Sequence, residues 1–309
     1  AGNKIAFSKF LSEVETGRGV EVEIQGNNIK GILSDGSNFN TFSPNYPNLV
    51  ALFNHLNVPT KASEMSFSAS LDRGSFEYSG TDLNGLFGQR RNVFRPRFWR
   101  MLRNIHRFYR TAPVVLATPI DADLSLGAYL EREKYDRGFI NDHLLPMGAA
   151  IWSTTAAEIE AYPAQAFIRF FQSHGLLSIT KRPQWHTVDG GSREYVSRLV
   201  EGFRDRVRFD RVTAVSRAQD KVRIEDKNGK ISIYDHVIFA THADEALDLL
   251  DDATDQERRL LGAWRYTKNR AVLHSDLSLM PKHRRVWSSW NFLSDPAQQQ
   301  LCVTYWMNR

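Results

Sequence analysis

The sequence predicts an α/β fold in two parts: a strand-and-helix domain, and a second domain of helices with an antiparallel sheet. Three observations predict it. Between Val207 and Leu250 several strand patterns follow one another and run into a helix. Between Arg97 and Trp152 the apolar period becomes helical, and between residues 269 and 307 three further strand patterns return.

Taken in order, residues 1 to 43 are mixed and strand-bearing, with Val20-Glu21-Val22-Glu23-Ile24 alternating as a strand does. Tyr46 to Leu56 reads as a helix. Met65 to Ser70 and Ser75 to Tyr78 read as a hairpin closed by Asp72-Arg73-Gly74. Within the helical stretch Ser125 suits a cap before Leu126, and Pro163 suits the first turn of a helix that Gly175 ends. Strands are then expected at Val207 to Phe209, Val212 to Val215, Lys221 to Glu225 and, past the Asn228-Gly229 turn, Ile231 to Ile233. His236-Val237-Ile238-Phe239-Ala240 is a continuous apolar run, the pattern of a strand covered on both faces, and it leads through Thr241-His242 into a helix from Asp244 to Leu250. Strands at 269 to 275, 285 to 292 and 300 to 307 complete the chain. The pattern changes divide it into residues 1–50 with 183–265, and residues 51–182 with 266–309.

At 309 residues and 42% apolar content the chain is long enough to bury two cores. Its one cysteine, Cys302, excludes an internal disulfide and CxxC motifs and suits a reducing, cytoplasmic compartment. The longest apolar stretches, around Ala112 to Ile120 and Leu144 to Trp152, fall far short of the roughly 18 residues that span a bilayer. The net charge of +5 is moderate, so its distribution matters more than its sum.

Eight arginines lie between Arg90 and Arg110. Arg100, Arg103, Arg107 and Arg110 recur at helical spacing, with Phe98, Met101, Leu102, Ile105 and Phe108 opposite, so the segment is amphipathic. It reads either as peripheral contact with an anionic membrane or as an ordinary surface helix with paired arginines; without a nucleic-acid fold it does not point to nucleic acid. Gly190-Gly191-Ser192 precedes a helix, as either a close backbone approach to a ligand or a capped turn. Of the seven tryptophans, Trp152, Trp290 and Trp306 are the candidates for an aromatic substrate wall, against a core role for each. The histidines form no HxxxH, HxH or HExxH pattern, which disfavours metal catalysis, and neither a P-loop nor a GxSxG elbow is present. No catalytic side chain can be named.

The run Tyr234 to Asp244, preceded by Pro183 to Tyr195, resembles the flavin-containing amine oxidase and phytoene desaturase superfamily. It is most similar to the bacterial-type predicted NAD/FAD-binding oxidoreductase branch. Tyr46-Pro47-Asn48-Leu49, Glu64 to Ser68, Leu144 to Ser153, Asn269 to His274 and Val303 to Asn308 are similar to that branch as well, in its order. The resemblance implies an FAD/NAD(P)-binding Rossmann-like domain. It implies FAD contacts at Val212, Ala240, Thr241, Gly190 and Gly191, with an apolar or lipid substrate against Trp152, Trp290 and Trp306. The chain departs from the family in two places. It lacks the GxGxxG fingerprint, Gly17-Arg18-Gly19 running into a strand pattern, and it lacks the family's closing flavin segment. The expectation is therefore an FAD-dependent oxidoreductase acting on an apolar substrate. The alternatives are a relative that binds a lipid or membrane surface without flavin, and a fragment of the full enzyme.

Overall fold

The computed structural model describes residues 20–25, 28–30, 41–117, 123–178, 182–266, 269–295 and 298–306. Its strands are β1 (Val20–Gln25), β2 (Asn28–Lys30), β3 (Thr41–Phe42), β4 (Thr60–Ser63), β5 (Phe67–Leu71), β6 (Phe76–Ser79), β7 (Trp185–Val188), β8 (Val212–Ala218), β9 (Lys221–Asp226), β10 (Ile231–Tyr234), β11 (Asn269–Leu273), β12 (Trp290–Asp295) and β13 (Gln298–Tyr305). The chain forms two compact units, residues 1–34 with 197–274 and residues 35–196 with 275–309. Both are discontinuous in sequence. Their boundaries fall at 34/35, 196/197 and 274/275, whereas the pattern changes in the sequence fall at 50/51, 182/183 and 265/266.

The second unit is built around a four-stranded sheet in the order β13-β12-β5-β6. It is antiparallel except that β12 runs parallel to β5, Trp290 opposite Phe67 and Phe292 opposite Ala69. Period-two alternation sends the β5 and β6 side chains to two chemically different faces. Phe67, Ala69, Leu71, Phe76 and Tyr78 join the helical core on one side. On the other, Ser68 donates to Asn291 Oδ1 at 2.8 Å, Ser70 donates to Glu77 Oε1 at 2.6 Å, and Ser79 bonds Ser288 at 2.8 Å. These small polar residues are buried without cost because each hydroxyl finds a partner. The hairpin between the two strands turns at Asp72, Arg73 and Gly74, all with positive φ.

Against the apolar face packs the helix Pro96–Ala117, which buries Phe98, Met101, Phe108, Tyr109 and Ala112 and leaves Arg100, Arg103, Arg107 and Arg110 exposed. Leu126–Arg132 and Ala164–Ser173 complete that layer with Leu126, Tyr129, Leu130, Phe167, Ile168 and Phe171. Ser125 caps the former by accepting from Ala128 N, and Gly175 at φ +69° follows the latter. The apolar run from Leu144 lies in a π-helical turn, Ile140–Leu144, continued by the helix Leu145–Trp152. A smaller sheet, β3-β7-β4, lies by the helix Pro47–His55, whose Phe53 packs with Val58 and Val188.

The first unit holds two three-stranded sheets, β11-β1-β2 and the meander β10-β9-β8, with helices Ala243–Leu249 and Asp255–Leu261. Three expected strands are corrected here. His236 to Ala240 forms no strand, and Ile238 is 92% exposed, because no described strand pairs with it and an apolar run without a ladder has no sheet to enter. Val207 to Phe209 is likewise outside any sheet, with Phe209 97% exposed. Over 285 to 292 the chain makes a 3₁₀ turn at Arg284–Val286 before β12 begins at Trp290. Gly17-Arg18-Gly19 lies outside the described residues.

Candidate functional site

The residues that the resemblance assigns to FAD fall in both units. In the first, Val212 opens β8 opposite Asp226, and Ala240 and Thr241 are exposed ahead of the helix Ala243–Leu249. His242 caps that helix, and its ring stacks on Tyr266 at 4.0 Å between centroids with 4° between the planes. The Tyr266 hydroxyl also accepts from Ala243 N at 3.1 Å. A diphosphate does not fit this helix end. Its first turn carries Asp244 and Glu245, and Glu245 already accepts from His242 N at 3.3 Å, so carboxylates of the chain itself occupy the positive end of the helix. β8 is tied to the following segment by Asp251 N donating to Val215 O at 3.0 Å, and by Arg217 bonded to Asp252 and Glu257.

In the second unit Gly190 and Gly191 have φ of +85° and +81°, which side chains resist, and a Cβ on Gly190 would meet Glu194 Cγ at 2.9 Å. The glycine pair is thus demanded by the turn itself, and Ser192 behind it is buried. Trp152 sits in a ring cluster with Phe170 at 4.8 Å, Phe167 at 5.3 Å and Tyr162 at 5.6 Å. Trp290 stands edge-on to Tyr305 at 6.2 Å, and Trp306 edge-on to Trp287 at 5.4 Å. Trp290 and Trp306 stand at one end of the β12–β13 pair, Trp306 N donating to Ser289 O at 3.0 Å, and Trp290 and Trp152 both pack against the main core.

The core also holds a polar constellation that the sequence does not announce. Arg97 grips Asp142 through two bonds, Nε to Oδ2 at 2.6 Å and Nη2 to Oδ1 at 2.7 Å, and reaches Asp72 at 2.8 Å. These bonds hold its guanidinium above the ordinary arginine range. Next to Asp142, His143 is buried, and burial pushes its pKa down to about 3. Tyr78 donates to Asp142 O at 2.7 Å and lies 3.0 Å from His143 Nδ1. Since the single hydroxyl proton is committed to the carbonyl, His143 is assigned as the neutral tautomer with its proton on Nδ1, donating to the tyrosine oxygen. Its Nε2 is then a bare acceptor with no hydrogen-bond partner in the structure. Such a group stays neutral at physiological pH and can receive a hydrogen bond, but it is too weak a base to abstract a proton. Nothing in the spacing of Tyr78, Arg97, Asp142 and His143 betrays this grouping, because it is made by packing a hairpin against two helices.

No family model matches the chain. Wild-type putrescine oxidase bound to putrescine superposes with a TM-score of 0.51 at 16% identity, over 80% of this chain and 55% of that one. Cyclohexylamine oxidase from Brevibacterium oxydans IH-35A gives 0.52 at 13% identity, over 72% and 50%. The fold is that of the amine oxidases. The α/β class expected from the resemblance thus holds. Among curated proteins, ATP-dependent zinc metalloprotease FtsH of Rickettsia bellii (strain RML369-C) is 45% identical over 56 residues, 18% of this chain and 9% of that protein. The FtsH of Rickettsia felis (strain ATCC VR-1525 / URRWXCal2) is 50% identical over 48 residues, 16% and 8%. The chain therefore spans less than a tenth of the curated relatives it matches and about half of the two oxidases. Among the described residues no group of three or more His, Cys, Asp or Glu side chains could hold a metal ion, and no helix is long and apolar enough to cross a membrane.

Proposed function

We propose that the protein is an FAD-dependent oxidoreductase of the amine oxidase type, acting on an apolar, lipid-like substrate. The observation that supports this reading is the amine oxidase fold, which extends over 80% of the chain in the comparison with putrescine oxidase. In this reading FAD supplies the hydride chemistry when bound, and the protein supplies a dry pocket that orients the substrate. Trp152, Trp290 and Trp306 are the proposed apolar wall, and Val212, Gly190 and Gly191 the proposed flavin contacts. Ala240 and Thr241, exposed ahead of the helix Ala243–Leu249, are the proposed neighbours of the diphosphate through their own backbone, since the helix end behind them is closed by Glu245. The partner is the substrate itself, with peripheral membrane contact through Arg90 to Arg110, whose outward face carries Arg100, Arg103, Arg107 and Arg110. Nucleic acid has no part in this reading.

One observation favours the flavin-free alternative, a relative that binds a lipid or membrane surface. The segment His236 to Ala240, which should line the nucleotide, enters no sheet. Purification separates the two. The flavin reading expects a yellow protein, or a colourless one whose tryptophan emission is quenched in a saturable way by added FAD. A colourless protein indifferent to FAD overturns it.

A further inference from the structure

A cleft of about 580 Å³ opens in the second unit where three stretches of chain meet: the β5–β6 turn, the segment 88 to 91, and residues 282 to 285. Arg73, Arg90, Arg91, Lys282 and Arg285 line it, and no carboxylate does. Its floor is built rather than accidental. Glu77 beneath it is fully buried, and its oxygens accept from Lys282 N at 2.8 Å, His283 N at 3.0 Å and Ser70 Oγ at 2.6 Å, with His283 Nδ1 alongside. The charge of Glu77 is therefore consumed inside the protein, where it fixes the backbone of residues 282 and 283, and Asp72 in the adjoining turn is held by Arg97. Gln89 ties the other two stretches together, donating to Gly74 O at 3.2 Å and accepting from Glu77 N at 3.2 Å. Arg90 is oriented by Phe87 O and Asn84 Oδ1, both at 2.7 Å, and Arg91 by Ser75 O at 2.9 Å. Among the described residues no carboxylate pairs with Arg90, Arg91, Lys282 or Arg285.

We infer that this cleft is a binding site for a phosphoryl anion, either a lipid phosphate headgroup or a soluble phosphate ester. Cations held this close repel one another, and a multivalent anion is the ligand that relieves this. Guanidinium forks match phosphate oxygens two at a time, and a cleft with several cations suits a phosphate dianion better than a carboxylate. Arg95, next to the cleft, has its guanidinium pKa lowered first by burial and then by Arg91 and Arg97, against Asp72, which raises it. The site lies within one unit and does not depend on flavin, so it stands or falls apart from the redox reading.

The test compares the wild-type protein with a Lys282→Gln/Arg285→Gln double variant and with Arg132→Gln/Arg137→Gln, which removes the same charge outside the cleft. Inorganic phosphate is titrated by calorimetry, and flotation is measured with phosphatidylcholine vesicles with and without phosphatidic acid. The expected result is binding that weakens with salt, falls at least about tenfold in the cleft variant and stays within about twofold in the control. Phosphate binding identifies a soluble ligand, and binding to phosphatidic acid vesicles alone identifies a headgroup; either supports the site. Equal losses in both variants, or no binding of either probe by the wild type, overturn it. Should the cleft variant fold poorly, acetylation of Lys282 in the wild type is read by mass spectrometry instead. Shielding by phosphate or by phosphatidic acid vesicles supports the site, and unchanged labelling refutes it.

Discussion

His143 is held neutral by its surroundings, and this has a measurable consequence. In the unfolded chain it takes a proton near its ordinary value of 6.5, and in the folded protein only at about 3. Between those values the unfolded state binds more protons, so stability is complete above about pH 6.5 and falls as the pH drops toward 3. The slope is about 1.4 kcal/mol per pH unit. The variant His143→Phe keeps the Tyr78 bond to Asp142 O and removes the titration, so its urea midpoint should fall less steeply with acid, by one proton's worth. Identical slopes in the two proteins would show that His143 is already charged in the fold. At this scale the sequence is legible only where the backbone itself makes the demand. Gly190 and Gly191 stand out because their turn needs positive φ. His143, Asp142 and Arg97 do not, because their partnership is created by burial and by chain segments more than forty positions apart.

Among the elements, the arginine helix is the most readable. A 3.6-residue period marks Phe98, Met101 and Phe108 as inward and Arg100, Arg103 and Arg107 as outward, and the structure places them so. The two faces should differ sharply in energy. Phe108→Ala removes a fully buried ring in contact distance of Tyr135 and Phe139 and should cost about 3–5 kcal/mol. Arg103→Ala, on the exposed face, should stay within about 0.5 kcal/mol. Urea denaturation of both variants measures the contrast, and similar losses would mean that the helix does not pack as described. Arg107 is less simple, since it donates to the carbonyls of Glu133 and Lys134 and covers the Tyr135 ring. The hairpin at Asp72-Arg73-Gly74 was equally readable from its turn residues. His236 to Ala240 was not: an apolar run records that a segment suits a sheet, while its entry depends on a partner strand supplied elsewhere. The cleft cations come from three stretches of chain; Arg90-Arg91 and Lys282-His283-Arg284-Arg285 are visible as basic runs in the sequence, but nothing there shows that they meet at the Arg73 turn.

Among the described residues the buried apolar side chains are unevenly distributed between the two units. The second unit buries more than twenty large side chains in one continuous cluster, from Phe67 in β5 to Phe292 in β12. Among the described residues of 197–274 the buried apolar side chains are Val215, Val222 and Ala246, while Phe209, Ile233, Ile238 and Trp264 are well exposed. Burial of apolar surface is the main term opposing chain entropy, so the two units should open with different free energies even though they share one chain. The strands are the natural reporters, and the comparison is cleanest for the amides that donate within a ladder, since β8, β10 and β6 are edge strands whereas β9, β5 and β12 are paired on both sides. Amides of β5, β6 and β12 should exchange with solvent most slowly, at rates approaching those of global unfolding. Those of β8, β9 and β10 should exchange at least about tenfold faster through local opening. Hydrogen–deuterium exchange by mass spectrometry resolves these peptides, and equal protection in the two groups would show that β8 to β10 draw stability from contacts beyond Val215, Val222 and Ala246. If FAD binds as proposed through Val212, its addition should slow exchange in β8 to β10 and leave β5 and β6 almost unchanged, since a ligand stabilises first the element whose opening would release it.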